Sequence, residues 1–245
     1  MNLMAIVLII GFALSIFFIW LFQKIINLIP FMTKYDKIYT NYNILSIISA
    51  FYVKSMCTID FKSNINKAIV EKEPVIYISN HQSFLDTFIS GYIPSKDVVF
   101  MNKYEIIKMP FIGGVIKNIG TVLVKRKCVI GRNLSVEQCK ESIINNKNIF
   151  IFPEGTYKEE IRDPNIIEPF RLGAFRLAKD TGAPLVLSKL KIKDTVDELK
   201  CEFHPKNKVY YHILEIVDPK DSKFADMDAE QLKDYCYDVI NNYTF

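Results

Sequence analysis

Val75-Ile76-Tyr77-Ile78-Ser79-Asn80-His81-Gln82-Ser83-Phe84-Leu85-Asp86 passes from a β-branched and aromatic run, through a polar loop, to a helix start. The run Val75 to Ser79 reads as a strand, and Ser83 is a good N-cap for a helix over Phe84 to Gly91. The same switch recurs downstream. Strands are predicted at Val98 to Met101, Thr121 to Lys125, Ile149 to Phe152, Leu185 to Ile192 and Val209 to Val217. Helices are predicted at Pro110 to Asn118, Gly131 to Asn146, Phe170 to Thr181 and Ala229 to Asn241. Strands alternating with helices from Glu73 onward imply an α/β domain with a mostly parallel or mixed central sheet flanked by helices.

Two polar segments follow apolar strands directly, Asn80 to Asp86 and Pro153-Glu154-Gly155-Thr156-Tyr157-Lys158. Ligands of such sheets collect at the carboxyl ends of strands. On one continuous helix His81 and Asp86 would diverge by about 140°, so they meet only if His81 stays in the loop. A carboxylate on one imidazole nitrogen then leaves the other to take a proton from an incoming hydroxyl. Ser83 and Asp86 also read as a capping box with Asp in place of Glu, and both readings stand at this point. Phe152-Pro153-Glu154-Gly155-Thr156 reads either as a strand-exit turn or as a turn aiming backbone N–H groups at an anion. Arg126 fits a phosphate bidentately, with Lys103 as a supporting point charge; the cluster Lys125-Arg126-Lys127 equally suits a solvated strand end.

Upstream, Leu3 to Phe22 contains no charged residue, and as a helix it would cover about 30 Å, the hydrocarbon thickness of a bilayer. Residues 1–24 are expected to form a single-pass transmembrane anchor, and 25–73 a membrane-associated helical segment. A catalytic domain would then occupy 74–245, with its motif core in 74–192. Lys24, Lys34 and Lys37 follow the apolar stretch, which puts the downstream domain on the cytoplasmic side. The five cysteines are spaced without a Cys-x-x-Cys pair and fit small buried hydrophobes in a reducing compartment. A formal net charge of +4 with interspersed signs argues against a nucleic-acid partner. No nucleophile elbow, Walker A loop, Gly-x-Gly-x-x-Gly or His-Glu-x-x-His motif is present.

Taken together, the His-x4-Asp loop, Lys103 through Gly113, Gly120 to Arg126 and Phe152 to Thr156 resemble the 1-acylglycerol-3-phosphate acyltransferase family in order and spacing. Phe170-Arg171-Leu172-Gly173-Ala174-Phe175 and Ala183-Pro184-Leu185-Val186 resemble its later blocks. The resemblance implies that His81 is the general base and Asp86 its orienting partner. It places Lys103, Arg126, Phe152, Pro153, Glu154, Gly155 and Thr156 around the acceptor phosphate. It further implies transfer of a fatty acyl group from acyl-CoA or an acyl carrier protein to a membrane lipid acceptor, giving phosphatidic acid in phospholipid biosynthesis, with no metal or organic cofactor. Tyr157 stands where the family commonly has Arg, and Leu187 where it has a second Pro. The first departure keeps another lysophospholipid or an aminoacyl-lipid open as acceptor; a non-catalytic lipid-binding protein and a thioesterase are the readings from other classes. Oligomeric state and chain-length preference are not legible in the sequence.

Overall fold

The computed structural model describes residues 3–34, 36–38, 40, 43, 45, 47, 58–63, 65, 67–83, 86, 98–156, 166–192 and 208–245. Along the chain, α1 (Leu3–Leu28) precedes β1 (Thr58–Ser63), α2 (Lys67–Lys72), β2 (Ile76–Ser79) and β3 (Val98–Lys103). A 3-10 turn (Tyr104–Lys108) leads to α3 (Ile112–Asn118), β4 (Val122–Val124), α4 (Val129–Ile144) and β5 (Asn148–Ile151). The described elements end with α5 (Gly173–Thr181), β6 (Leu185–Ile192), β7 (Lys208–Val217), α6 (Ser222–Ala225) and α7 (Ala229–Asn242).

The strands form one sheet in the order β1-β7-β6-β2-β5-β3-β4. All pairs are parallel except β6 with β7, so the expected sheet is a mixed one. Its central strand β2 is buried along its whole length, as a strand covered on both faces must be. Period-2 alternation divides its side chains. Tyr77 packs with Phe100, Phe150 and Ile116 on one face; Ile76 and Ile78 pack with Phe175, Leu177 and Leu232 from α5 and α7 on the other. Helix α7 starts at a capping box formed by Asp228 and Gln231.

Two regions depart from expectation. Thr58–Ser63 lies within the stretch assigned to membrane-associated helix, yet it forms β1 and pairs in parallel with β7. Thr-Ile-Asp-Phe-Lys-Ser alternates apolar and polar residues, a strand period missed among the surrounding apolar runs. Much of the remainder of 35–57 lies outside the described residues.

The single-pass anchor is the second correction: among the described residues no helix is long and apolar enough to cross a membrane. Helix α1 forms where expected, but it is docked sideways on the domain. The stripe Ile16, Ile19, Gln23 and Ile26 is buried, and Ile16 and Ile19 pack on Val115 of α3. Gln23 is fully buried and accepts a 3.0 Å hydrogen bond from Asn118, a polar contact aimed at protein. Trp20 lies over Gly114, where an added Cβ would come within 2.7 Å of the indole.

Candidate active site

The two loops singled out in the sequence leave the adjacent parallel strands β2 and β5, paired Ile78 to Ile151. His81 and Glu154 each stand three residues beyond that pair. The Glu154 carboxylate accepts the His81 backbone N–H at 2.6 Å and the Glu168 backbone N–H at 2.9 Å. It thereby ties the loop after β2 to the segment before α5. Asn80, fully buried, holds the same loop from the other side, donating to Leu190 O at 2.9 Å and accepting from Leu190 N at 2.7 Å.

Within the loop, one oxygen of Asp86 gathers three groups. Its Oδ2 lies 3.2 Å from His81 Nδ1 and accepts the Gln82 and Ser83 backbone N–H groups at 2.5 and 2.8 Å. Asp86 therefore both orders the turn and faces the imidazole. Asp86 is fully buried, and its other oxygen, Oδ1, makes no hydrogen bond. The His81 ring stacks on Phe152 with centroids 4.2 Å apart and planes 17° from parallel. An imidazole held at Nδ1 and along its face presents Nε2 as its proton-accepting atom. Of the helix predicted at Phe84 to Gly91 only Asp86 is described.

His81 opens onto a cavity of about 920 Å³. Its lining includes the apolar residues Ile16 of α1, Phe100, Ile106, Ile112 and Val115 and the cations Lys103, Arg126 and Arg171, together with Phe152, Pro153, Gly155 and Thr156. The structure thus brings together around one space every residue expected at the site except two. Asp86 reaches it only through His81. Glu154 is 5% exposed and directs its carboxylate to the two backbone N–H groups, away from the cavity. Burial pushes its carboxyl up to about 7, against the pull of those two donors. Gly155 has φ +74°, which permits the turn closed by Gly155 N–H on Phe152 O at 3.0 Å. Arg126 is half-buried, and burial together with the charge of Arg171 lowers its proton affinity.

Sequence reasoning missed Asn80 as the loop's clamp and Arg171 as a cavity cation. Asn80 was visible only as a polar residue between a core strand and His81. Arg171 lies in a segment, Phe170 to Phe175, whose residues carry no local signal for a ligand. Tyr157, His204, Cys57 and Cys201 lie outside the described residues. Cys139 is buried and its thiol is pushed up to about 12 by desolvation, as befits a core residue, and Cys236 behaves alike, whereas Cys128, against the expectation, is exposed and caps α4 by accepting the Gly131 N–H at 3.3 Å. Among the described residues no group of three His, Cys, Asp or Glu side chains is placed to hold a metal.

The Acyltransferase family model matches residues 58–187. Over 113 residues the chain is 34% identical to a chloroplastic 1-acyl-sn-glycerol-3-phosphate acyltransferase of Brassica napus, covering 46% of this chain and 31% of that one. Over 167 residues it is 29% identical to the 1-acyl-sn-glycerol-3-phosphate acyltransferase of Haemophilus influenzae, covering 67% and 66%. The chain therefore spans about a third of the length of the plant relative and just under two thirds of the bacterial one. In fold it is similar to the crystal structure of the 1-acyl-sn-glycerophosphate acyltransferase PlsC from Thermotoga maritima, with TM-score 0.72, 18% identity and coverage of 98% and 92%.

Proposed function

Since the chain belongs to the Acyltransferase family, we propose that it transfers a fatty acyl group from a thioester, on coenzyme A or acyl carrier protein, to the free hydroxyl of 1-acylglycerol 3-phosphate. The product is phosphatidic acid, a phospholipid precursor. The observation that carries this reading is the His81–Asp86 pair at a cavity whose lining combines apolar side chains with the cations Lys103, Arg126 and Arg171. Such a lining suits an acceptor that carries both a hydrocarbon tail and a phosphate.

In this mechanism His81 Nε2 takes the proton of the acceptor hydroxyl as its oxygen attacks the thioester carbonyl carbon. Asp86 Oδ2 stabilises the imidazolium that forms. Collapse of the tetrahedral intermediate forms the ester, breaks the carbon–sulfur bond, and returns the proton from the imidazolium to the leaving thiolate. A positioned base contributes about 100- to 10,000-fold to such a step. Arg126 and Lys103 hold the phosphate. No metal or organic cofactor enters the scheme.

The protein is proposed to work at the cytoplasmic face of a membrane. Support comes from the outer side of α1, where Ile10, Leu14, Phe18, Leu21, Ile25 and Leu28 are all exposed. A helix docked on one stripe and apolar on the other suits the headgroup boundary.

The test is transfer of a labelled acyl group from coenzyme A to 1-acylglycerol 3-phosphate in vesicles, comparing wild type with His81→Ala. Product from wild type alone supports the reading. Fatty acid released at the same rate with and without acceptor would make the protein a thioesterase, and equal transfer by both proteins would remove His81 from the chemistry.

A further inference from the structure

We propose that Arg171 is the second phosphate-holding residue of the acceptor site, gripping the anion together with Arg126. The assignment rests on the acceptor reading above and goes beyond it by naming the residue that selects a phosphorylated acceptor.

The backbone of Arg171 is fixed by its N–H to Pro153 O at 2.9 Å. Its side chain is fixed by Nε donating to Glu154 O at 3.1 Å. The guanidinium is thus anchored to the turn it would serve. A Cβ added to Gly155 would lie 2.7 Å from Arg171 Nε and 3.1 Å from Cδ and Cζ, so the bare glycine is what lets the side chain lie across the turn. Of the five N–H donors of an arginine, one is committed to the carbonyl, leaving the two terminal nitrogens as a fork.

Arg171, Arg126 and His81 line the same cavity. Among the described residues neither guanidinium has a carboxylate within ion-pair distance. The acidic groups elsewhere in the wall are engaged differently: Glu137 and Asp180 both pair with Lys140, at 3.1 and 2.9 Å. Half-buried Arg126 and exposed Arg171 line the same cavity; burial first and the charge of Arg171 second lower the proton affinity of Arg126, and an anion between the two guanidinium groups would relieve that like-charge contact. A tetrahedral phosphate monoester, dianionic and rich in acceptors, matches two forks better than a carboxylate does.

The experiment compares KM for 1-acylglycerol 3-phosphate with KM for acyl-CoA in wild type, Arg171→Met, Arg171→Lys and Arg126→Met, with 1-acylglycerol as a neutral acceptor. Arg171→Met is expected to raise the acceptor KM about 10- to 100-fold and to leave the thioester KM within about twofold. Arg171→Lys should fall between, which covers the case in which the methionine variant does not fold. The Arg171→Met, Arg126→Met double variant should lose less than the product of the single losses, because both hold one group. An unchanged acceptor KM, equal changes in both KM values, or a rise confined to the thioester KM would overturn the assignment. If wild type uses 1-acylglycerol as well as its phosphate, the acceptor reading itself fails.

Discussion

Replacing Glu154 by glutamine separates the two things its carboxylate does. Both oxygens accept backbone N–H groups, from His81 at 2.6 Å and from Glu168 at 2.9 Å. A glutamine offers one oxygen and one NH2, so one of those N–H groups must face another donor. A lost hydrogen bond to a charged group costs about 1.5–3 kcal/mol, and if the loss falls on the His81 loop, activity at pH 8 drops about 10- to 100-fold. The carboxylate also carries a burial penalty, because its folded value of about 7 stands above the ordinary 4.5. Between those two pH values the folded protein keeps a proton that the unfolded chain has released. Stability from this group is therefore complete below about 4.5 and is lost as pH rises to about 7, by an amount on the order of 3 kcal/mol. Glutamine cannot ionise and removes that slope. Thermal unfolding of both proteins from pH 4.5 to 8, with acyl-transfer rates at pH 8, reads both effects. Wild type should lose its advantage in Tm as pH rises, while the variant stays less active at pH 8. Parallel Tm profiles together with equal activity would refute the account of Glu154 as the strut between the two loops.

Asp86→Asn can keep an oxygen facing Gln82 and Ser83 N–H while removing the charge opposite His81, so kcat should fall about 100- to 10,000-fold with only a modest change in Tm; unchanged kcat would mean that Asp86 only orders the turn. Gly155→Ala places a Cβ at φ +74° and against Arg171, costing about 1–2 kcal/mol of backbone strain and raising the acceptor KM, measurable by unfolding and steady-state kinetics. Substituting Ser at Leu14, Phe18 and Leu21 together should reduce co-flotation with phosphatidylcholine vesicles while circular dichroism stays that of wild type; retained flotation would rule out the outer face of α1 as the membrane contact.

The legible parts of this molecule are those where side-chain period and turn chemistry agree. β-branched runs bounded by Pro, Asn and Gly located β2, β3, β5, β6 and β7 to within two residues, because burial on both faces leaves few alternatives there. β1 was not legible: its six residues sit at an edge and half their side chains are exposed, so the apolar signal is weak. Asp86 facing His81 followed from local spacing. The Glu154 carboxylate holding His81 did not, since that contact depends on which strands are neighbours, a long-range fact that no local pattern encodes. The apolar length of Leu3 to Phe22 was legible, but its docking on α3 turns on Gln23, Trp20 and Gly114 meeting partners about a hundred residues away.

The parallel pairing of β2 with β5 makes the site sensitive to chain length as well as residue identity. His81 and Glu154 meet because each lies the same number of residues beyond the Ile78–Ile151 pair. Deleting or inserting one residue between either strand and its loop would slide one side of the site by about 3.3 Å and turn alternate side chains to the opposite face. Such a change would silence the protein while every one of its motif residues was still present. A frame of fixed spacing, with the candidate residues hung from it at equal distances, is therefore as much a part of this proposed site as the imidazole itself.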